Sequence, residues 1–148
     1  MYFVDRKLLE ERLQYMEKLL GTFHSQNEWT EPLQQLALER IVHCWLEAMI
    51  DVGNQMIDGF IMRDPGGYSD IINILEDEKV IEEQTANALQ NVLVWRKTLV
   101  NDYLNINHLE IEATMREHKR AMEYFSNAVR VYLEKELGPV SAFLPDER

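Results

Sequence analysis

The sequence predicts an all-α fold, an up-and-down bundle of four long helices and one short one, and three observations predict it. Apolar residues recur at helical spacing along nearly all of the 148 residues. No stretch alternates apolar and polar residues for long enough to form a strand. The strongest turn signals, Asp64-Pro65-Gly66-Gly67-Tyr68 and Gly138-Pro139, fall between periodic segments rather than inside them.

Each element has its own warrant. Leu9, Leu13, Met16 and Leu20 form the stripe of a first helix, with Asp5 as its N-cap and Gly21 as its stop. A polar link from Thr22 to Asn27 leads to Trp29. Thr30 then caps a long second helix, with Pro32 in its first turn, where a missing N–H does no harm. Its apolar positions, including Leu33, Leu36, Ile41, Cys44, Ile50, Ile57 and Phe60, spread over more than one face. Such a helix touches several neighbours or a second subunit. After the Pro-Gly turn, Ser69 caps a short helix carrying Ile71, Ile72, Ile74 and Leu75. A further helix starts near Glu82 and runs through Ala86, Leu89, Val92 and Leu99 into a polar break. The last helix carries Met115, Met122, Phe125, Val129 and Tyr132 and ends at Gly138-Pro139. Residues 139–148 are expected to be a loose surface tail.

Composition narrows the function. Residues 1–148 are the length of one domain, and 46% hydrophobic with 28% charged residues is a globular balance. The single cysteine, Cys44, cannot form an internal disulfide and reads as a small core residue, which suits a reducing cytosol. No leader and no run of ~20 apolar residues is visible, so a cytoplasmic protein without a membrane anchor is expected. A formal charge of −11 argues against a general nucleic-acid coat but leaves room for a local basic site. The modest basic cluster Arg116, His118, Lys119 and Arg120 is expected to be balanced by Glu112, Glu117 and Glu123.

Most kinds of site find no foothold. None of His24, His43, His108 and His118 stands three residues after a glutamate, so a di-metal carboxylate bundle is not expected, nor any cofactor. Glu39, His43, Glu47 and Asp51 follow one another at four-residue steps and read as a solvated or interfacial ridge. No nucleophile elbow occurs, and Gly66-Gly67 lacks the lysine and hydroxyl of a phosphate loop. One or two of Trp29, Trp45 and Trp95 are candidates for anchoring a subunit interface.

The stretch VLVWRKTLVNDYLNIN, residues 92–107, is different. Arg96 and Tyr103 lie seven positions apart, nearly in line on one helical face and about 10 Å apart in rise. Asn101, Asp102 and Asn105 are poor helix-interior residues, because their side chains compete for backbone hydrogen bonds. A helix end or kink at Asn101 is therefore expected, and it could turn the amide toward Arg96 and Tyr103. Read from the residues alone, Arg96 is better taken as a counter-ion for an acid such as Asp51 or Glu47, with Tyr103 capping the bundle.

The set Arg96, Asn101, Tyr103 resembles the Arg-x4-His-x-Tyr signature of the HepT-like branch of the HEPN superfamily. The segment LERIVHCWLEAMIDVGNQMI is similar to that family's long second helix, with Asp51 at an acidic position. DPGGYSDIINILEDEKVI is similar to its Pro-rich turn and short helix. The resemblance implies an α-helical homodimer whose interface cleft gathers the motif residues of both subunits, with Asp51 and Lys97 in support. It also implies a metal-independent ribonuclease, often a toxin, paired with a nucleotidyltransferase-type antitoxin that can adenylylate the motif tyrosine, here Tyr103. Arg96 would grip an RNA phosphate. Asn101 stands where the motif has histidine, and a carboxamide cannot exchange protons near neutral pH. RNA cleavage is therefore expected to be weakened or lost. The alternative is a non-catalytic dimer that binds RNA, a nucleotide or a protein through the same cleft.

Overall fold

In the computed structural model, residues 4–138 are described, and the expected tail at 139–148 lies outside them. The described residues are helical with no strand. Seven helices follow in order: α1 Arg6–His24, α2 Pro32–Gly59, α3 Tyr68–Asp77, α4 Glu83–Leu93, α5 Trp95–Val100, α6 His108–Glu117 and α7 Lys119–Leu137. α2 is the axis of the molecule. α1, α3, α5 and α6 all pack against it, and α7 closes the far side through α1 and α4.

α1 buries the stripe expected of it, and the Asp5 carboxylate accepts from the Leu8 N–H at 3.0 Å. The helix does not stop at Gly21. It runs one turn further because Phe23 is buried there, stacked on Trp29 with ring centroids 5.5 Å apart. Burial of that ring outweighs the ~1 kcal/mol by which glycine disfavours a helix interior. Thr30 is not the cap of α2. Glu31 is, in a capping box in which Gln34 Oε1 accepts the N–H groups of Thr30 and Glu31 at 3.1 and 3.0 Å. α3 likewise begins after Gly67, while the Ser69 hydroxyl donates to Gln90 of α4 at 2.8 Å instead of capping.

α2 and α3 approach closely at Gly53, where a Cβ would run into Ile71 Cγ2. Both helices end with a residue in the left-handed region, Ile61 and Lys79. Met62 N–H to Ile57 O at 2.9 Å and Val80 N–H to Leu75 O at 2.8 Å close the two ends in Schellman fashion.

The two segments expected to be single helices are each divided. α4 gives way to α5 at Val94, and the six-residue α5 ends at Asn101, where a break was expected. The final helix bends at His118, so that α6 sets Ile111 and Met115 against α2 and α4 while α7 sets Met122, Phe125 and Val129 along α1 and α4. No straight helix reaches both surfaces. Trp45 is wholly buried, edge-on to Phe125, and Trp29 is almost so; both belong to the core rather than to a surface. Trp95 is half-buried and donates its indole N–H to Thr114 Oγ1 at 3.1 Å.

Candidate active site

The polar ridge of α2 organises the site. One turn of helix separates each of Glu39, His43, Glu47 and Asp51 from the next, and three of them take partners from three different helices. His108, at the head of α6, meets Glu39 at 2.7 Å. Arg96 of α5 donates its Nε–H to Glu47 Oε2 at 2.6 Å. Arg12 of α1 approaches Asp51 at 3.9 Å and donates to Gln55 at 2.8 Å. The ridge is partly exposed but is tied to its neighbours through these pairs, and no group of three metal-ligating side chains occurs among the described residues.

Arg96 sits in the first turn of α5, and the break at Val94 is what lets that turn face the middle of α2. Of the two acids considered as its partner, Glu47 is the one used, while Asp51 is turned to α1. The Arg96 side chain is 24% exposed, and its Cζ lies 4.4 Å from the centroid of the Tyr68 ring at the head of α3. Glu47 holds the guanidinium above its ordinary pKa, with burial opposing and the nearby Tyr68 adding slightly. The charge is therefore permanent at any physiological pH. Only Nε is committed: among the described residues, neither Nη group makes a hydrogen bond. A flat, charged fork pinned at its base and open at its tip suits a phosphate, which it can take in bidentate fashion.

The other sequence-derived residues cluster less tightly. Asn101 is the C-cap of α5; its N–H returns to Lys97 O at 2.8 Å, and its side chain is exposed. Lys97 is paired with Asp102 at 3.1 Å. Tyr103 is 63% exposed on the loop beyond. No hydrogen bond joins Arg96, Asn101 and Tyr103 among the described residues, so a single chain does not close them into one pocket. Two residues of the neighbourhood escaped the motif reading. Tyr68 was legible only as a turn residue. His43 was visible as part of the ridge, and its Nε2 comes within 3.8 Å of the same Glu47 oxygen that holds Arg96.

The basic cluster is balanced largely as expected: Arg116 on Glu112 at 2.9 Å, His118 near Glu117 at 3.9 Å and Lys119 near Glu123 at 4.0 Å. Among the described residues no helix is long and apolar enough to cross a membrane.

The chain and its helical fold have known counterparts. The family model described as Ribonuclease HepT-like matches residues 9–129, and the chain belongs to that family, within the HEPN superfamily. It is 48% identical over 143 residues to the Bacillus subtilis (strain 168) protein named "Putative RNase YutE", covering 97% of this chain and 99% of that one. A solved structure of YutE, described there as a cytosolic protein of unknown function, superimposes with a TM-score of 0.93 over 97% of this chain and 100% of that one. Two more distant structures share the fold. A toxin–antitoxin assembly with AMP-PNP aligns at 15% identity and a TM-score of 0.75, over 84% of this chain and 98% of that one. A tri-AMPylated Shewanella oneidensis HEPN toxin in complex with MNT antitoxin aligns at 16% identity and a TM-score of 0.73, over 83% and 96%.

Proposed function

We propose that this protein is a HepT-like ribonuclease of the toxin type, working as a homodimer whose two Arg96 sites share one cleft at the subunit interface, with metal-independent RNA cleavage weakened by Asn101. The observation that carries the reading is the Arg96 guanidinium, anchored through Nε on Glu47 and flanked by Tyr68, with both Nη groups left for a ligand. In water such a fork would be worth little. Partly enclosed and fixed in advance, it stabilises the extra charge that phosphorus oxygens gain in the transition state.

The dimer is supported by exposed apolar side chains at the end of the molecule where α2 begins and α6 begins. Leu33, Leu36, Leu104 and Leu109 are 81, 62, 86 and 71% exposed, and the Glu39–His108 contact holds those helix starts together. Large apolar side chains left open near one another support a surface that meets protein. Asn101 and Tyr103 sit on the same α5–α6 connection, so a second subunit there would supply the walls a lone chain lacks. The exposure of Tyr103 also suits adenylylation by a nucleotidyltransferase-type antitoxin, the kind of partnership named for the Shewanella toxin complex.

The second reading, a non-catalytic dimer that binds RNA, a nucleotide or a protein, is favoured by Asn101 alone, since an amide can hold a phosphate but cannot carry its proton. Incubating the purified protein with tRNA and total RNA, beside Arg96→Ala and Asn101→His, separates the two. Gain of cleavage in Asn101→His, dependent on Arg96, is the expected result. RNA binding without cleavage in every variant would favour the binding module.

A further inference from the structure

We infer that His43 of α2 carries the proton that Asn101 cannot, making it a catalytic residue of the Arg96 site. The inference rests on the reading that this cleft meets RNA. His43 Nε2 and Arg96 Nε approach one and the same oxygen, Glu47 Oε2, at 3.8 and 2.6 Å. The imidazole and the guanidinium therefore cannot be further apart than those two distances together, which is the span of a phosphate with its flanking ribose hydroxyl. The His43 side chain is 32% exposed, so it is open to a ligand rather than sealed in the core. It stands one turn before Glu47 on a rigid, 28-residue helix, which fixes its place better than a loop would.

The local charges suit the task. The charged and titratable groups along this face are Glu39, Glu47 and Asp51 on α2 itself, Arg12 on α1, Arg96 on α5, Tyr68 at the head of α3 and His108 on α6. Glu39 is taken up by His108 and Glu47 chiefly by Arg96, so neither carboxylate is committed to His43 by a hydrogen bond. Among the described residues the His43 side chain makes no hydrogen bond, and its Nε2, with only the 3.8 Å approach to Glu47, is left for a proton transfer. His43 thus offers, beside Arg96 on α2, an imidazole that the motif position Asn101 does not supply.

The step balances without metal or cofactor. The neutral His43 imidazole takes the proton from a ribose 2′-hydroxyl as its oxygen bonds to the adjacent phosphorus. The bond from phosphorus to the 5′-oxygen breaks, and water protonates that leaving oxygen. The products are a 2′,3′-cyclic phosphate and a 5′-hydroxyl, with Arg96 on the non-bridging oxygens throughout. His43⁺ then returns its proton to solvent.

The test uses the full-length protein and a short single-stranded RNA oligomer, with binding read by fluorescence anisotropy and cleavage by gel. His43→Gln is expected to leave RNA affinity and thermal melting unchanged and to lower cleavage by about 100-fold or more, the scale of lost acid–base help. Asn101→His placed in the His43→Gln background is expected to restore cleavage. Wild-type cleavage undiminished in His43→Gln would overturn the inference, as would Arg96-dependent RNA binding with no wild-type cleavage at all. RNA affinity indifferent to Arg96→Ala would instead overturn the underlying reading of the cleft.

Discussion

Arg130 and Arg96 both hold carboxylates, and they do so differently. Arg130 of α7 uses all three of its nitrogens: Nε and Nη2 on Glu10 at 3.0 and 2.9 Å, and Nη1 and Nη2 on Glu17 at 2.6 and 3.1 Å. That guanidinium is spent on joining α7 to α1, and Glu17 and Glu10 together raise its pKa well above the ordinary value. Arg96 uses Nε alone and leaves its fork open. A structural arginine saturates its donors within the fold because every unpaired N–H near the interior carries a desolvation penalty. One that keeps donors in reserve, next to an aromatic ring and a histidine, fits the ligand-binding role proposed for Arg96.

The largest effect that could break this comparison is in RNA chemistry. Arg96→Ala is expected to lower cleavage on the order of 100-fold, as loss of a preorganised donor to a developing oxyanion does. It should also flatten the dependence of RNA affinity on salt by about one phosphate contact. Its melting temperature should stay close to wild type, since Glu47 is 42% exposed and can return to water. Equal loss of stability in the Arg96 and Arg130 alanine variants would erase the distinction between them.

Much of this arrangement was legible beforehand, and the parts that were not share a cause. The α1 stripe, the Asn101 break and Glu47 as one of two partners for Arg96 follow from spacing and propensity, which act within a few residues. The caps at Thr30 and Ser69 failed because Gln34 and Gln90 offered better partners, the latter from a different helix. The bends at Val94 and His118 leave no mark in the apolar period, because they are set by which neighbour each half must reach. Tyr68 and His43 entered the site for the same reason. Neither belongs to the Arg96 stretch, and only the packing of α3 and α5 on α2 brings them to it.

Gly53 sharpens the contrast from another face of α2, where it meets α3. Gly53→Ala drives a methyl into Ile71 and is expected to destabilise by about 1–3 kcal/mol, the range for overpacking a filled core. Thermal or denaturant unfolding measures it, and Ile71→Leu in the same chain, which removes the Cγ2 methyl, should recover part of the loss. RNA affinity per folded molecule should not change. If it does, the ridge and the α3 contact are coupled through α2 rather than independent.

Smaller is the effect at the seam. Arg130→Ala is expected to lower stability by only about 1 kcal/mol, because its own side chain is 31% exposed and the two glutamates 42 and 44%, so solvent screens the pairs. The proof that it acts through those acids is its pH signature. Arg130 holds the Glu10 carboxyl below its ordinary value of 4.5, against an opposing push from burial. A carboxyl whose pKa is lower in the folded than in the unfolded chain binds fewer protons when folded. Its stabilising share is therefore complete above the unfolded value and disappears as the pH falls through the folded one. Wild-type stability should accordingly decline as the medium is taken below about pH 4.5, and Arg130→Ala should lose less over that interval because it has less to lose. Urea midpoints measured for both proteins between neutral pH and acid would converge. Parallel curves would mean that Glu10 and Glu17 are indifferent to Arg130, and that the saturated guanidinium reflects proximity rather than a bond between helices.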